Sequence, residues 1–385
     1  MLWCLALGST LVLGWIYDGY GRALQGLCWL FVRRSQALAP PPSGPLPTLT
    51  VLLTMHNEEE AVRKRLQNVL GCDYPRDRLT VLVASDGSTD RTSEMVREVA
   101  AVDSRVGLLE SPGLGKTGTQ NLAISQITSD VIVFSDAETE FRPDWLLRVA
   151  ARFADPAVGA VDGRLTYQSA AQGTVHASEG RYWTYEMRIR HLESQLGILA
   201  VVSGAAFALR RSAFVPMDPA IGEDCIVPLD VVSQGLRVEH DPLAVALEQL
   251  PPDSASTLKR RIRMTLRNWQ GTWSRPRLLN PLRHPGYAFA LWSHKLLRWL
   301  SPVFLITATV SSTLLMILSP GLASAALLTP WAGLILLAGV HAVSGGRRLV
   351  PGSGTAWSFL LANLAFLIGV LQAVRGKRVH AYKKT

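Results

Sequence analysis

The sequence predicts an α/β domain, built on a mostly parallel sheet with helices on both faces, that is joined to transmembrane and interfacial helices. Between residues 48 and 275, short β-branched runs alternate with charged, helix-like stretches, which is typical of parallel strands linked by helices. Long apolar segments stand near both ends of the chain. The 385 residues are 48% hydrophobic yet carry a formal net charge of +9, which fits a membrane protein whose basic face meets anionic lipid.

The composition also argues against two other kinds of site. A basic chain can bind nucleic acid, but the sequence has neither zinc-ligand spacing nor an aromatic platform for single strands. The four cysteines share no close spacing, which predicts isolated reduced thiols. We therefore expect no nucleic-acid partner, no cysteine metal cluster and no disulfide framework.

The N-terminal segment predicts a membrane anchor. Residues 1–17 hold no charged side chain and end in Trp15 and Tyr17, aromatics that favour the membrane interface. A cleaved signal peptide is the alternative, although no basic residue precedes the apolar run. Arg33 and Arg34 place the next segment in the cytoplasm by the positive-inside rule. We therefore predict a transmembrane segment with a basic flank at 1–34 and a stiff, Pro-rich linker at 35–47.

The C-terminal part predicts more membrane contact. Residues 276–301 carry His294, Lys295 and Arg298 among Leu and Trp, which predicts an amphipathic helix lying on the membrane. Three further apolar segments, within 302–385, are each near the length needed to span. They are residues 302–318, 322–343 and 356–374. Three crossings would put the basic tail outside, so either one segment is re-entrant or the tail departs from the positive-inside rule.

Polar side chains follow the first two predicted strands of the α/β domain. His56 and Glu58 follow the first strand and could contact a base and its ribose, although capping of a helix by Asn57 explains this run as well. Asp86 follows the second strand, where capping of the next helix is again the alternative. Since ligands of such sheets bind beyond the carboxyl ends of the strands, these side chains could hold a nucleoside.

A glycine-rich run at residues 113–118 contains Lys116. The spacing of an ATPase phosphate loop is absent, because Glu110 stands where that motif requires its first glycine. Lys116 could still offset the charge of a diphosphate. A plain flexible loop is the alternative.

Asp136 and Glu138 follow a fully apolar predicted strand at 131–134. In an extended segment, alternate side chains point to the same side, so both carboxylates would face one ligand. Mg²⁺ or Mn²⁺ prefers oxygen ligands of this kind, with substrate phosphates completing the coordination shell. The pattern therefore favours a metal site over a solvent-exposed acidic pair.

Asp224 follows Gly222 and Glu223 in an otherwise apolar stretch. Partial burial would raise its pKa toward a value useful for a general base, and a helix N-cap is the alternative. Downstream, Arg263 and Arg267 are four residues apart and share one face of a predicted helix, which suits a diphosphate leaving group. A basic helix against anionic lipid is the alternative there, and the two interpretations can hold for different faces.

Taken in order, these motifs resemble those of membrane-integrated family 2 glycosyltransferases, related to cellulose, chitin, hyaluronan and poly-N-acetylglucosamine synthases. The resemblance implies a GT-A-type nucleotide-sugar-binding domain, inverting transfer from a nucleotide diphosphate sugar, and Mg²⁺ or Mn²⁺. It implies an integral protein of the bacterial inner membrane with a cytoplasmic catalytic domain. The implied roles are nucleotide binding by His56, Glu58, Asp86 and Lys116, metal binding by Asp136 and Glu138, and base catalysis by Asp224. A place near the acceptor is implied for Ser203, Gly204, Glu223 and Trp269, with Arg210 and Arg211 following that loop.

Two departures from the family pattern bear on the acceptor. Glu138 stands where the metal motif has its second Asp. The processive enzymes carry Gln-x-x-Arg-Trp, whereas aligning Arg267 with its Arg gives Met264 and Asn268, and aligning Trp269 fits no better. We therefore expect single transfer from a UDP-sugar to a lipid or lipid-linked glycan. A processive synthase and exporter is the alternative, and an inactive scaffold or sugar-nucleotide sensor is a third; no protein partner is predicted.

Overall fold

The computed structural model of the chain describes residues 1–32, 45–168, 174–249, 254–344 and 350–378. Arg33, Arg34, most of the predicted linker and the last residues of the basic tail lie outside this range. The strands are β1 (Leu49–Met55), β2 (Leu79–Asp86), β3 (Val106–Ser111), β4 (Val131–Ser135), β5 (Glu140–Phe141), β6 (Val158–Gln168), β7 (Ala206–Arg210) and β8 (Arg237–Gln249).

The helices include eight around the sheet and several apolar ones. The first group is α3 (Val62–Leu70), α4 (Thr92–Ala100), α5 (Lys116–Ile124), α6 (Trp145–Arg152), α7 (Thr174–Gln195), α8 (Glu223–Ser233) and α9 (Ser254–Ser274), with α10 (Pro285–Ala290) after them. The others are α1 (Leu2–Gly14) and α2 (Tyr20–Phe31) at the start, and α11 (Leu297–Trp299), α12 (Ser301–Leu318), α13 (Leu322–Val343) and α14 (Ser353–Val374) at the end.

The described strands form a mixed sheet in the order β3-β2-β1-β4-β7-β6-β8-β5. One half is parallel, because β1 lies between β2 and β4 and runs parallel to both. In the other half β7 pairs antiparallel with β4 and β6, and β6 runs parallel to β8. All five residues of β4 are buried, because helices cover both faces of the sheet. The predicted fold class is confirmed, with an antiparallel half added to it.

Local structure in the first two loops differs from the capping expected of Asn57. Helix α3 begins only at Val62, so Asn57 is not its N-cap. Asn57 instead adopts a left-handed conformation with φ of 55°, which Asn tolerates better than most residues. Its Oδ1 accepts a hydrogen bond from the Thr89 backbone N–H at 2.8 Å. The side chain therefore ties the loop after β1 to the loop after β2.

Four helical segments are long and apolar enough to cross a membrane, by length and composition. Three of them, α12 to α14, begin and end within a few residues of the predicted segments. The fourth continues past the predicted segment at 1–17, because a π turn at Trp15–Gly19 joins α1 to α2 without a break. Leu13 packs with Leu305 and Ala308, which places α1 against α12.

The helical part of the segment at 276–301 does not place all of its basic side chains at a surface. It runs continuously over residues 285–299, where a π turn at Leu291–Leu296 joins α10 to α11. His294 and Arg298 are buried, and both contact Glu186 of α7. The expectation of a basic face on the membrane is therefore not met at these two residues, because an acidic side chain of the α/β domain neutralises them.

Candidate active site

A cavity of about 330 Å³ lies at the carboxyl ends of β1, β2 and β4. The residues after these strands, together with α8 and α9, supply much of its wall. Most side chains singled out in the sequence line it: His56, Glu58, Asp86, Lys116, Asp136, Glu138, Ser203, Gly204, Glu223, Asp224, Arg263 and Arg267. Trp269 is not among the lining residues; its ring lies 5.9 Å from that of Trp273 and 6.2 Å from that of Trp299.

Asp86 holds the glycine-rich loop at one side of the cavity. Its Oδ1 accepts hydrogen bonds from the Gly115 N–H at 3.1 Å and from the Thr119 hydroxyl at 2.7 Å. The His56 ring nitrogen Nδ1 lies 2.7 Å from the Asp86 carbonyl oxygen. These contacts fix His56 and the loop together, and nucleoside binding by them stays a prediction.

Lys116, the first residue of α5, links two acidic residues of the cavity. Its Nζ lies 2.6 Å from Asp136 Oδ1 and 2.6 Å from Glu223 Oε1. In this structure the lysine is neutralised by two carboxylates, and its contact with a diphosphate stays a prediction. The sequence suggested the lysine, but it did not suggest that Glu223 would hold it.

Asp136 and Glu138 lie in a turn after β4 and not in an extended segment, so the alternation argument does not apply to them. Both line the cavity nevertheless. Within the described ranges, no three His, Cys, Asp or Glu side chains form a ready-made metal site. A divalent cation would therefore need oxygens from a ligand or from water, as Mg²⁺ commonly does.

Glu248 adds a third carboxylate to the end of the cavity that holds Asp136 and Glu138. Burial raises the pKa of the Glu248 carboxyl to about 7, and the negative charges of Asp136 and Glu138 contribute to the shift. Mutual repulsion of this kind is relieved when a cation binds between carboxylates. The donor set, all carboxylate oxygen, matches the preference of Mg²⁺ and Mn²⁺.

Glu223 and Asp224 begin helix α8, and their environments move their pKa values apart. Burial and the adjacent Glu223 raise the pKa of Asp224, although Arg267 opposes them. Burial also acts to raise the pKa of Glu223, but Lys116 and Arg267 outweigh it and hold that pKa below its usual value. A pair of acids with opposite shifts is typical of sites where one carboxylate binds and the other exchanges a proton. The direction for Asp224 is the one expected from the sequence.

The N-cap alternative for Asp224 does not fit its position. The N-cap of α8 is Gly222, and Asp224 lies inside the first turn. Gly204 packs against this turn, because a Cβ on Gly204 would lie 3.1 Å from Glu223 Oε1 and 3.4 Å from the Asp224 Cβ. The loop at Ser203 and Gly204 therefore adjoins the two acids directly.

Helix α9 contributes three arginines to the cavity wall. Arg263 and Arg267 were expected to share a face, and both line the cavity. Arg267 Nη2 donates to the Thr117 hydroxyl at 3.1 Å, which joins α9 to the glycine-rich loop. Arg260 also lines the cavity, with its guanidinium 6.0 Å from the centre of the Tyr167 ring. The lipid-binding alternative therefore does not account for Arg260.

Several lining residues are not predicted from the sequence. Tyr167 and Glu248 are register partners on β6 and β8, two strands that the sequence pattern does not predict. Trp183 and Arg190 lie on α7, whose polar and apolar residues show no clear periodicity. The alternation of Ala244, Ala246 and Glu248 in β8 is the local signal that could have pointed to Glu248.

Arg210, expected near the acceptor, lies elsewhere. Its guanidinium donates hydrogen bonds to the carbonyl oxygens of Val158 and Phe153 at 2.9 and 3.0 Å. Arg211 likewise donates to the carbonyl oxygen of Ile127. Neither arginine is among the residues lining the cavity, so both fasten the end of β7 to neighbouring loops.

Part of this chain is similar to proteins of a known family. The model of glycosyl transferase family 2 matches residues 50–215. The chain is 27% identical over 222 residues to a poly-beta-1,6-N-acetyl-D-glucosamine synthase of Staphylococcus aureus, covering 56% of this chain and 53% of that protein. It is 26% identical over 324 residues to an N-acetylglucosaminyltransferase of Sinorhizobium fredii, covering 79% and 74%.

A solved structure extends the likeness to nearly the whole chain. A mannosyltransferase of Pyrobaculum calidifontis, determined with GDP-Man and Mn²⁺, superposes with a TM-score of 0.74 at 22% identity, over 98% of this chain and 100% of that one. At this identity the likeness shows the fold. The chain spans about half the length of the curated relatives it first matches. The resemblance seen in the motifs is confirmed for residues 50–215, which match the model of glycosyl transferase family 2, and the fold around them is GT-A-like.

Proposed function

We propose that the chain is an inverting, metal-dependent transferase that moves a sugar from a nucleotide diphosphate sugar, of the UDP type, to a lipid or lipid-linked glycan at a membrane. One observation carries this proposal. Asp224, an acid with a raised pKa, lines the same cavity as the Lys116 and Asp136 pair that could hold a diphosphate.

The donor would lie along the ends of the parallel strands. His56, Glu58 and Asp86 would contact the nucleoside, and Lys116, Arg263 and Arg267 would contact the diphosphate. A divalent cation held by Asp136 and Glu138 would neutralise the negative charge of the departing diphosphate. Support comes from the carboxylates at this end of the cavity, and from the nucleotide sugar and Mn²⁺ named with the structural relative.

Asp224 would act as the general base. Its carboxylate accepts the proton of an acceptor hydroxyl while that oxygen attacks the anomeric carbon of the donor sugar. The bond between the anomeric carbon and the diphosphate oxygen breaks on the opposite side, which inverts the configuration. Lys116 and the arginines of α9 stabilise the charge that develops on the leaving group.

One observation supports an acceptor at a membrane, and a second supports an acceptor that carries a sugar. Helix α9, which bears the three cavity arginines, packs closely on α14, one of the four segments able to span. A Cβ on Gly369 of α14 would lie 2.7 Å from the Thr265 Cβ of α9. The cavity wall also carries Tyr167 and Trp183, whose ring centres are 5.2 Å apart, and an aromatic surface of this kind suits the apolar face of a sugar ring.

The test uses the purified full chain with UDP-N-acetylglucosamine, UDP-glucose and GDP-mannose, with and without Mn²⁺ or Mg²⁺. Release of nucleoside diphosphate and transfer of labelled sugar into membranes are both measured. Asp224→Asn should lower the transfer rate by about 10²-fold to 10⁴-fold and leave the affinity for the donor unchanged. Asp230→Asn is the matched control on the same helix, since Asp230 pairs with Arg275 and does not line the cavity. Normal transfer by a folded Asp224→Asn protein would exclude the base assignment.

A processive synthase is the second candidate, favoured by the name of the Staphylococcus aureus relative. The two functions differ in product length. Single transfer gives one new band when labelled product is resolved on a gel, and processive synthesis gives a ladder or a high-mass smear.

A further inference from the structure

A network of buried charges runs from the N-terminal helix to the acceptor side of the cavity. The Tyr20 hydroxyl donates to Glu193 Oε1 at 2.7 Å, and the same oxygen lies 2.8 Å from His294 Nδ1. His294 Nε2 lies 3.0 Å from Glu186 Oε2, and Glu186 Oε1 accepts from Arg190 Nε at 3.2 Å. The network therefore connects α2, α7 and the segment before α12.

Arg190 is the member of this network that reaches the cavity. Its Nη1 lies 3.1 Å from Asp162 Oδ2 and donates to the Ser203 hydroxyl oxygen at 2.8 Å. Arg190 is 5% exposed, and the carboxylates of Asp162 and Glu186 pair with its guanidinium. Asp162 Oδ1 also accepts from the Ser203 backbone N–H at 2.6 Å. Ser203 is thus fixed through both its backbone and its side chain.

The direction of these hydrogen bonds decides what Ser203 can do. A guanidinium can only donate, so the Ser203 oxygen must be the acceptor in its contact with Arg190. The hydroxyl hydrogen is then free to point elsewhere, and within the described part of the chain the Ser203 hydroxyl donates no hydrogen bond of its own. Ser203 lines the cavity, and the next residue, Gly204, packs against Asp224. A hydrogen-bond donor therefore stands beside the proposed base.

We infer that Arg190 is a positioning residue that turns the Ser203 hydroxyl so that it donates a hydrogen bond to an oxygen of the acceptor substrate. This inference rests on the proposed function, because it concerns the hydroxyl-bearing molecule that Asp224 would deprotonate. The acceptor class it implies is one with a second oxygen next to the reacting hydroxyl, such as the neighbouring hydroxyl of a sugar ring. Because the donor is proposed to lie along the ends of the parallel strands, its binding should not depend on this contact.

A double-mutant cycle tests the inference in the full chain, with labelled UDP-N-acetylglucosamine as donor and chitotetraose as acceptor probe. Ser203→Ala and Arg190→Lys should each raise the acceptor KM about tenfold, the cost of one hydrogen bond, and leave the donor KM unchanged. The double variant should be no worse than either single variant, because Arg190 acts through Ser203. Arg210→Lys is the matched control, since Arg210 is also held by several hydrogen bonds but does not line the cavity.

Additive losses, or equal losses in donor and acceptor KM, would overturn the inference and leave Arg190 a structural residue. A second measurement needs no turnover. In Ser203→Cys, the pH midpoint for alkylation of the new thiol by iodoacetamide should lie lower with Arg190 present than with Arg190→Met, because a guanidinium stabilises the thiolate. The chain without the Ser203→Cys change, which keeps all four native cysteines, gives the alkylation background.

The two measurements separate the possible failures. An unchanged midpoint would also overturn the inference. A wild-type chain inactive with every nucleotide sugar would instead refute the proposed function, while the alkylation result still decides the contact between Arg190 and Ser203.

Discussion

Two clusters of charge meet at Arg190, and they are organised differently. In the cavity, carboxylates outnumber cations, and Asp224 and Glu248 have raised pKa values. In the buried network the acids Glu186, Glu193 and Asp162 are matched by Arg190, Lys295 and Arg298.

The difference teaches how the fold divides its charges. The buried charges that connect helices to one another are paired with opposite charges inside the protein, because burial of an unpaired charge costs free energy. The excess negative charge of the cavity is left for a ligand to neutralise. Removing a charge should therefore reduce stability in the network and reduce activity in the cavity.

The largest expected effect is on stability, in Glu186→Gln. Glu186 is buried and contacts His294, Lys295, Arg298 and Arg190. Its replacement leaves buried cations without a partner, which typically costs about 3–5 kcal/mol. Denaturant unfolding in detergent measures the loss.

Glu98→Gln is the matched control for Glu186→Gln. Glu98 pairs with Arg63 at the surface, where an ion pair contributes about 0–1 kcal/mol. Equal stability of the two variants would remove the distinction between network and surface charges.

In the cavity, Asp136→Asn should have the opposite profile. Loss of a metal-binding carboxylate should weaken Mn²⁺ activation by about tenfold to a hundredfold, and unfolding should be affected far less than by Glu186→Gln. Glu138→Gln should have a smaller effect, because Glu138 is exposed in the turn. Titration of activity with Mn²⁺ measures both. Identical activation curves for wild type and Asp136→Asn would exclude the metal site proposed here.

The pH dependence of stability sharpens the same comparison at Asp224. Its folded pKa is raised, so the folded state binds more protons than the unfolded state above an ordinary Asp pKa of about 3.9. Its stabilising contribution is then complete below that value and is lost as the pH rises through the folded pKa.

Asp224→Asn removes this pH-dependent loss of stability. The free energy of unfolding of the variant should therefore rise relative to that of wild type from about pH 4 upward, and at pH 7 the variant should be at least as stable as wild type. Denaturant unfolding across this range measures the difference. A variant that loses relative stability with rising pH would mean that Asp224 is a stabilising anion. It would then resemble the acids of the buried network.

The sequence was sufficient for three of the four strands in the parallel half of the sheet, β1, β2 and β4, and for most of the proposed donor side of the cavity. The apolar runs before Asp86 and Asp136 define strands, and parallel strands bring their carboxyl ends to one edge, so these acids had to meet. The acceptor side was not predictable in the same way. Tyr167, Trp183 and Arg190 reach the cavity through pairings between distant segments, which no local pattern encodes.

The buried network was hidden for a related reason. His294 and Arg298 follow the pattern of a membrane-surface helix, and only the approach of α7 shows that Glu186 neutralises them. A basic side chain in an apolar segment has two ways to satisfy its charge, lipid headgroup or buried acid. The choice depends on a partner more than 100 residues away in the chain.

The smallest expected effect concerns a neutral residue in the loop after β1, between the cavity-lining residues His56 and Glu58, and it sets a baseline for both charge clusters. Asn57→Ala removes the hydrogen bond to the Thr89 N–H and places a residue with a Cβ and no polar group at φ of 55°. Each change costs about 1 kcal/mol. Asn57→Gly removes the same hydrogen bond but accepts the left-handed conformation, so it should be the more stable of the two variants. Thermal unfolding of both measures the difference, and an Asn57→Ala protein as stable as Asn57→Gly would mean that the backbone relaxes. A loss of stability as large as that of Glu186→Gln would mean instead that the neutral contacts of this loop stabilise the fold as much as the buried charges do.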